Sequence, residues 1–300
     1  MIKITSILFV CLLCVGCGYP GFKATKNYKW SFDGSDPIPI DVDSYNGAIA
    51  VTPSTSDEIE IDATVTTRGF TQDLADAALE KLVPNAVVEN GKLFVSANSV
   101  GGFSNSSVEF VLRVPRKTFA KLHTSNGSIR VEGLAGEFDC TTSNGSVQVS
   151  GLTGKLKIKT SNGAIKIFDT VAEVGAKTSN GSITANFVPV GNSNELRTSN
   201  GRVSIGLPKN MSVALDASTS NGSVTCELPL GEDVRKKKTS LVGKTTVENA
   251  ELPEAKLLVR TSNGSVQFRE MDEANAKEEN TKTNTPTNQA EVDKPSQIEL

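Results

Sequence analysis

The tetrapeptide Thr-Ser-Asn-Gly constrains this chain more than any other feature. It begins at Thr124, Thr142, Thr160, Thr178, Thr198, Thr219 and Thr261, and a degenerate copy, Thr239-Ser240-Leu241-Val242-Gly243, precedes the last. Successive threonines lie 18, 18, 18, 20, 21, 20 and 22 residues apart. A fixed period near twenty marks a repeat architecture, in which each unit buries its apolar side only against its neighbours. In the unit starting at Thr142, apolar Val147, Val149, Leu152, Leu156 and Ile158 alternate with polar Gln148, Lys155, Lys157 and Lys159 on two short strands separated by two different turns. Neighbouring units repeat the pattern at Ile129, Val131, Leu134, Phe138 and Cys140, and at Ile165, Ile167, Val171, Val174 and Ala176.

Asn-Gly between alternating segments also signals a hairpin, but an open antiparallel meander of that many strands would leave a long apolar face uncovered. Coils that stack in parallel explain the fixed offset. Equivalent residues then lie on one another, and Asn126, Asn144, Asn162, Asn180, Asn200, Asn221 and Asn263 form a turn ladder of side-chain amides. The corner Asn and Gly are read as demanding left-handed backbone. The expected fold is all-β, a single-chain parallel β-solenoid or β-helix with about 18–22 residues per coil and one short helix near its N-terminal end. That helix spans 71–83. Thr71 caps it, Asp73 favours its first turn, Leu74, Ala77, Ala78 and Leu82 form its apolar face, and Pro84 ends it. It either covers the end of the array or is a lateral insertion.

Residues 1–16 have the layout of an export signal, with an apolar run from Ile7 to Leu13. Gly16-Cys17 resembles the lipobox of bacterial lipoproteins, although Cys14 stands where that pattern has Leu. Cys17 is the expected lipidation site, anchoring the chain to a membrane through its acyl chains. Gly18 after it resembles the outer-membrane sorting pattern. Residues 17–36 are read as lipidated Cys and tether, with a strand signal at Tyr28, Trp30 and Phe32; 37–120 form an N-terminal β region, and 121–270 the regular array. Ser44-Tyr45-Asn46-Gly47-Ala48 is an early, diverged copy of the turn. From 271 to 300 the composition becomes polar and charged, a segment expected to be disordered.

Recurrent Thr-Ser-Asn-Gly-Ser-Ile/Val units after a lipoprotein-type signal, preceded by Val108-Glu-Phe-Val-Leu-Arg-Val-Pro115, resemble the bacterial β-strand-repeat family labelled "putative adhesins". The resemblance covers roughly 38–270. It implies a structural motif rather than a catalytic one, and an envelope location.

Chemistry is sparse. A net charge of −3 and 5% aromatic residues give no footprint for nucleic acid. His123 is the single histidine, and the alternation turns it outward. Cys140 and Cys226 read as buried hydrophobes. No cofactor or metal is expected, since the ligands for a zinc site are missing and the corners carry Asn and Ser where a calcium roll has Asp. The basic run Arg235-Lys236-Lys237-Lys238 is placed in a solvated loop. The expected function is therefore a non-catalytic cell-envelope lipoprotein, adhesin-like or a scaffold, with an envelope protein or polysaccharide as ligand. Met271 follows the last strand with no cap, so edge-to-edge homo-oligomers are open to it. The alternative is a polysaccharide-acting β-helix enzyme, for which Asp216, Glu227, Glu232 and Asp233 are the carboxylates to inspect.

Overall fold

The computed structural model describes residues 21–97, 106–247 and 252–271; the leader, Cys17 and the tail after Met271 lie outside the described residues. The N-terminal part comprises β1 (Phe22–Asp33), β2 (Ile40–Asn46), β3 (Ile49–Pro53), β4 (Glu58–Gly69), α1 (Gln72–Lys81), β5 (Asn85–Glu89), β6 (Lys92–Ala97) and β7 (Ser107–Val114). The array follows as β8 (Lys117–Asn126), β9 (Ile129–Glu132), β10 (Ala135–Thr142), β11 (Val147–Ser150), β12 (Thr153–Thr160), β13 (Ile165–Thr178), β14 (Ile183–Pro189), β15 (Asn194–Thr198) and β16 (Val203–Leu207). Then come β17 (Met211–Thr219), β18 (Val224–Cys226), β19 (Arg235–Lys237), β20 (Ser240–Lys244), β21 (Leu252–Thr261) and β22 (Val266–Glu270). Among the described residues the fold is all-β with one helix.

From β8 to β16 the strands pair in parallel, one repeat apart. Ile129 lies beside Val147, Val147 beside Ile165, Ile165 beside Ile183, and Ile183 beside Val203. In the facing run Leu122, Cys140, Ile158, Ala176 and Leu196 stack in the same way. β13 is long enough to take part in both runs. All these side chains are buried and belong to one continuous core. The register is fixed because a slip of one residue would turn the whole apolar set of a strand outward.

The sheet as a whole is mixed, which corrects the expectation of a purely parallel coil. β1–β4, β4–β7 and β5–β6 are antiparallel at one end, and β17–β20 and β19–β20 at the other. Spatial order also departs from chain order at both ends. β2 and β3 lie between the later pairs β6/β7 and β8/β9. The last coil, β21/β22, is inserted between β15/β16 and the earlier β17/β18.

Several local expectations shift. Residues 22–33, inside the stretch read as tether, form β1, which pairs along its length with β4 and buries Tyr28, Trp30 and Phe32. The degenerate copy at Thr239 is no corner: Ser240–Lys244 is β20, and its Leu241 is fully buried. Leu134 and Leu152 are succeeded at the equivalent position by Thr170, not Val171. Thr170 is buried, with its Oγ1 on the Phe168 carbonyl at 2.8 Å, while Val171 is exposed. In the helix Ala78 and Leu82 are buried as expected, while Ala75 and Leu79 are buried in place of Leu74 and Ala77. Thr71 Oγ1 accepts from the Leu74 amide at 3.3 Å, and Leu74 itself is half exposed. The helix connects β4 of one run to β5 of the other and packs on β1 and β4.

Candidate functional site

The repeat corner is the most regular polar structure in the molecule. Each corner asparagine donates its side-chain amide to the side-chain oxygen of the asparagine one coil away. The row runs Asn126 to Asn46 at 2.7 Å, Asn144 to Asn126 at 2.8 Å, Asn162 to Asn144 at 2.9 Å, and Asn180 to Asn162 at 2.9 Å. It continues from Asn200 to Asn180 at 2.8 Å, Asn263 to Asn200 at 2.7 Å and Asn221 to Asn263 at 2.8 Å. The donors all point toward the N-terminal end, so neighbouring bonds polarise one another. Asn46, from the diverged copy, ends the row on the Ser106 carbonyl at 3.2 Å.

A second ladder lies just inside it. Thr142, Thr160, Thr178 and Thr198 are buried, and each donates its hydroxyl to the carbonyl of the corner glycine of the preceding coil, at 2.9–3.1 Å. Thr124, Thr219 and Thr261 do the same to Gly47, Gly264 and Gly201. The sequence reading missed this role. Parity would have found it, because each threonine sits two residues after an inward side chain, as Thr160 does after Ile158.

The corner glycines have a different reason from the one expected. Gly127, Gly145, Gly163 and Gly181 do not hold left-handed backbone; a Cβ on any of them would overlap the carbonyl oxygen of the corner glycine one coil back. In the regular coils left-handed conformation is found at the opposite corner, at Gly133 and Gly151 with φ of 65° and 64°, where Asp169 takes the same place at 49°; Gly191, at 70°, lies between β14 and β15.

Outward residues form rows up the long-strand run. One reads Asp41, Lys121, Asp139, Lys157, Gly175, Glu195. Its signs alternate, and Lys157 meets Asp139 at 3.1 Å. The adjacent row reads Asp43, His123, Thr141, Lys159, Lys177, Arg197, Arg260, Ser218. His123 is exposed there, opposite Asp43 and Thr141.

The carboxylates named for an enzyme are not gathered. Asp216 on β17 pairs with Arg260 at 2.9 Å, and Glu227 beyond β18 accepts from Gln267 at 3.0 Å; Glu232 and Asp233 are exposed in the loop before β19. Cys140 is buried, and burial pushes its thiol up from the ordinary value. Cys226 is only half-buried, against expectation, and burial raises its thiol as well. Both cysteines are free. Arg235–Lys237 forms the edge strand β19 rather than a loop, with all its side chains exposed. No group of three or more His, Cys, Asp or Glu placed to hold a metal occurs among the described residues, and no helix there is long and apolar enough to cross a membrane.

No curated protein matches the chain. Among solved structures, a "putative adhesin" from Bacteroides fragilis is 13% identical, with 85% of this chain and 100% of that chain covered at a TM-score of 0.39. A "putative cell adhesion protein" from Clostridium sporogenes is 10% identical, covering 84% and 100% at 0.34. A "putative lipid binding protein" from Parabacteroides distasonis is 12% identical, covering 81% and 97% at 0.30. Residues 119–269, half of the sequence and nearly all of the repeated coils, match the Toastrack DUF4097 family model, and the chain belongs to that family.

Proposed function

We propose that this protein is a non-catalytic cell-envelope lipoprotein whose stacked coils act as a rigid, solenoid-like rod carrying adhesin-like binding faces. The observation that carries the reading is how the repeat spends its polar groups. At every Thr-Ser-Asn-Gly corner the Thr hydroxyl, the Asn amide and the absent Gly side chain serve contacts between coils, which leaves the flat outer rows as the surface a partner can meet. Repeated shallow polar rows suit extended ligands such as an envelope polysaccharide. The dispersal of Asp216, Glu227, Glu232 and Asp233 favours binding over hydrolysis, which needs two converging carboxylates.

Anchoring through Cys17 to the outer membrane is supported by the leader and by the corner where the described chain starts. Phe22 lies opposite Gly69, next to Phe70, which is 81% exposed, and Leu74 packs against Gly69. Lys23 and Arg68 are paired beside them. Exposed aromatics with basic neighbours suit the headgroup region of a bilayer. Binding of a glycan array by the soluble Cys17→Ser protein, without release of reducing ends or unsaturated products, is the expected result; product release would overturn the non-catalytic reading. The same substitution is expected to abolish palmitate labelling and membrane retention.

A further inference from the structure

Three of the rows on the long-strand face obey different rules. The row Glu137, Lys155, Glu173 and the row Asp41, Lys121, Asp139, Lys157 alternate in sign from one strand to the next, as a sheet surface does when its cross-strand pairs stabilise it. Between the latter row and the corner, Lys159, Lys177, Arg197 and Arg260 stand directly beside one another on four consecutive strands, with no acidic residue among them; Asp43, the acid of their row, lies three strands before Lys159. Like charges in register oppose folding. The strands are about 4.8 Å apart, so the four cations form a straight line about 14 Å long. Lys177 meets Glu195 at 2.7 Å and Arg260 meets Asp216 at 2.9 Å, both reaching sideways into the adjacent row.

What flanks the line defines its partner. Two residues further along each strand, on the same outward side, are the exposed corner hydroxyls of Ser161, Ser179, Ser199 and Ser262. On the other side are the carboxylates Glu195 and Asp216. No aromatic side chain is interleaved, so a single-stranded nucleic acid would find nothing to stack on. A strip of cations bordered by hydroxyls and carboxylates matches a polymer with one anionic group per unit and many hydroxyls. We propose that the row Lys159–Lys177–Arg197–Arg260 binds an extended acidic polysaccharide of the uronate class, laid along the stack with one sugar residue per coil. The cations take the uronate carboxylates, and the serines and Glu195 take ring hydroxyls. This rests on the polysaccharide-binding reading above and names its site and ligand class.

The test uses the full mature chain carrying Cys17→Ser, with polygalacturonate, uncharged dextran and duplex DNA as probes. Binding to polygalacturonate, weakened by salt and absent with dextran, is expected. Lys159→Gln/Arg197→Gln is expected to weaken it about tenfold per cation removed, with melting temperature unchanged or raised. Lys236→Gln/Lys237→Gln on β19 is expected to leave it unchanged. If the β19 pair loses binding and the row pair does not, the site is wrong while the polysaccharide reading stands. Equal affinity for DNA would overturn the assignment to sugar, and binding of dextran unaffected by either pair would overturn the role of charge. A parent chain that binds neither polysaccharide sinks both this site and that reading.

Discussion

Gly163 and Gly175 stand twelve positions apart in sequence and in opposite circumstances. A Cβ on Gly163 would run into the backbone oxygen of Gly145, which cannot move without shifting the coil beneath; a Cβ on Gly175 meets nothing within 4 Å. Gly163→Ala is therefore expected to cost about 3 kcal/mol or more, whereas Gly175→Ala is expected to be neutral or to stabilise by about 0.5 kcal/mol; thermal melts of the two decide. Asn162 both donates to Asn144 and accepts from Asn180, so Asn162→Ala removes two ladder bonds. At about 0.5–1.5 kcal/mol each, the melting temperature is expected to fall by several degrees, and a parent-like melt would mean that the ladder contributes nothing. The asparagine row was legible in the sequence because repetition at one offset has few other causes. The reason for the glycine was not, since a close approach between coils leaves the same trace in a sequence as a left-handed turn.

Among the elements, β19 faces a problem that stacked coils create for themselves, an end strand whose unpaired backbone can recruit another chain. It carries Arg235, Lys236 and Lys237, all exposed, so a second copy approaching edge to edge meets like charge. Lys236→Val/Lys237→Val is expected to make association dependent on protein concentration, read by light scattering, while the parent stays monodisperse under the same conditions. The sequence showed the basic run but not that it was a strand, because three consecutive cations carry no alternation. The helix was legible in extent and cap, and half of its face, Ala78 and Leu82, was read correctly, whereas Ala75 and Leu79 are buried in place of Leu74 and Ala77. Its stretch holds Leu74, Ala75, Ala77, Ala78, Leu79 and Leu82, two overlapping apolar stripes, and packing on β1 and β4 chooses between them.

For the whole molecule, the alternation of apolar residues foretold one core, but not the order in which coils meet. Near-identical units offer near-identical surfaces, so Val203 could stack on Val224 as well as on Val266, and the linking segments decide. The inserted coil buries Leu257, Val259, Val266 and Phe268. At about 1.5–3 kcal/mol each, these contribute on the order of the net stability of an entire domain. A chain ending at Val247 is expected to lose protection from proteolysis back to about residue 194, with residues 117–189 still protected; cleavage confined to residues after 208 would show that the neighbouring coils do not need it.

That insertion makes the molecule a test of its own completeness. A chain released from the ribosome N-terminus first presents the coil at 194–207 and the coil at 211–226 before the residues that join them exist. Until the final coil arrives, both keep an apolar edge open to proteases and chaperones, so a prematurely terminated chain is distinguishable from a finished one by its surface alone.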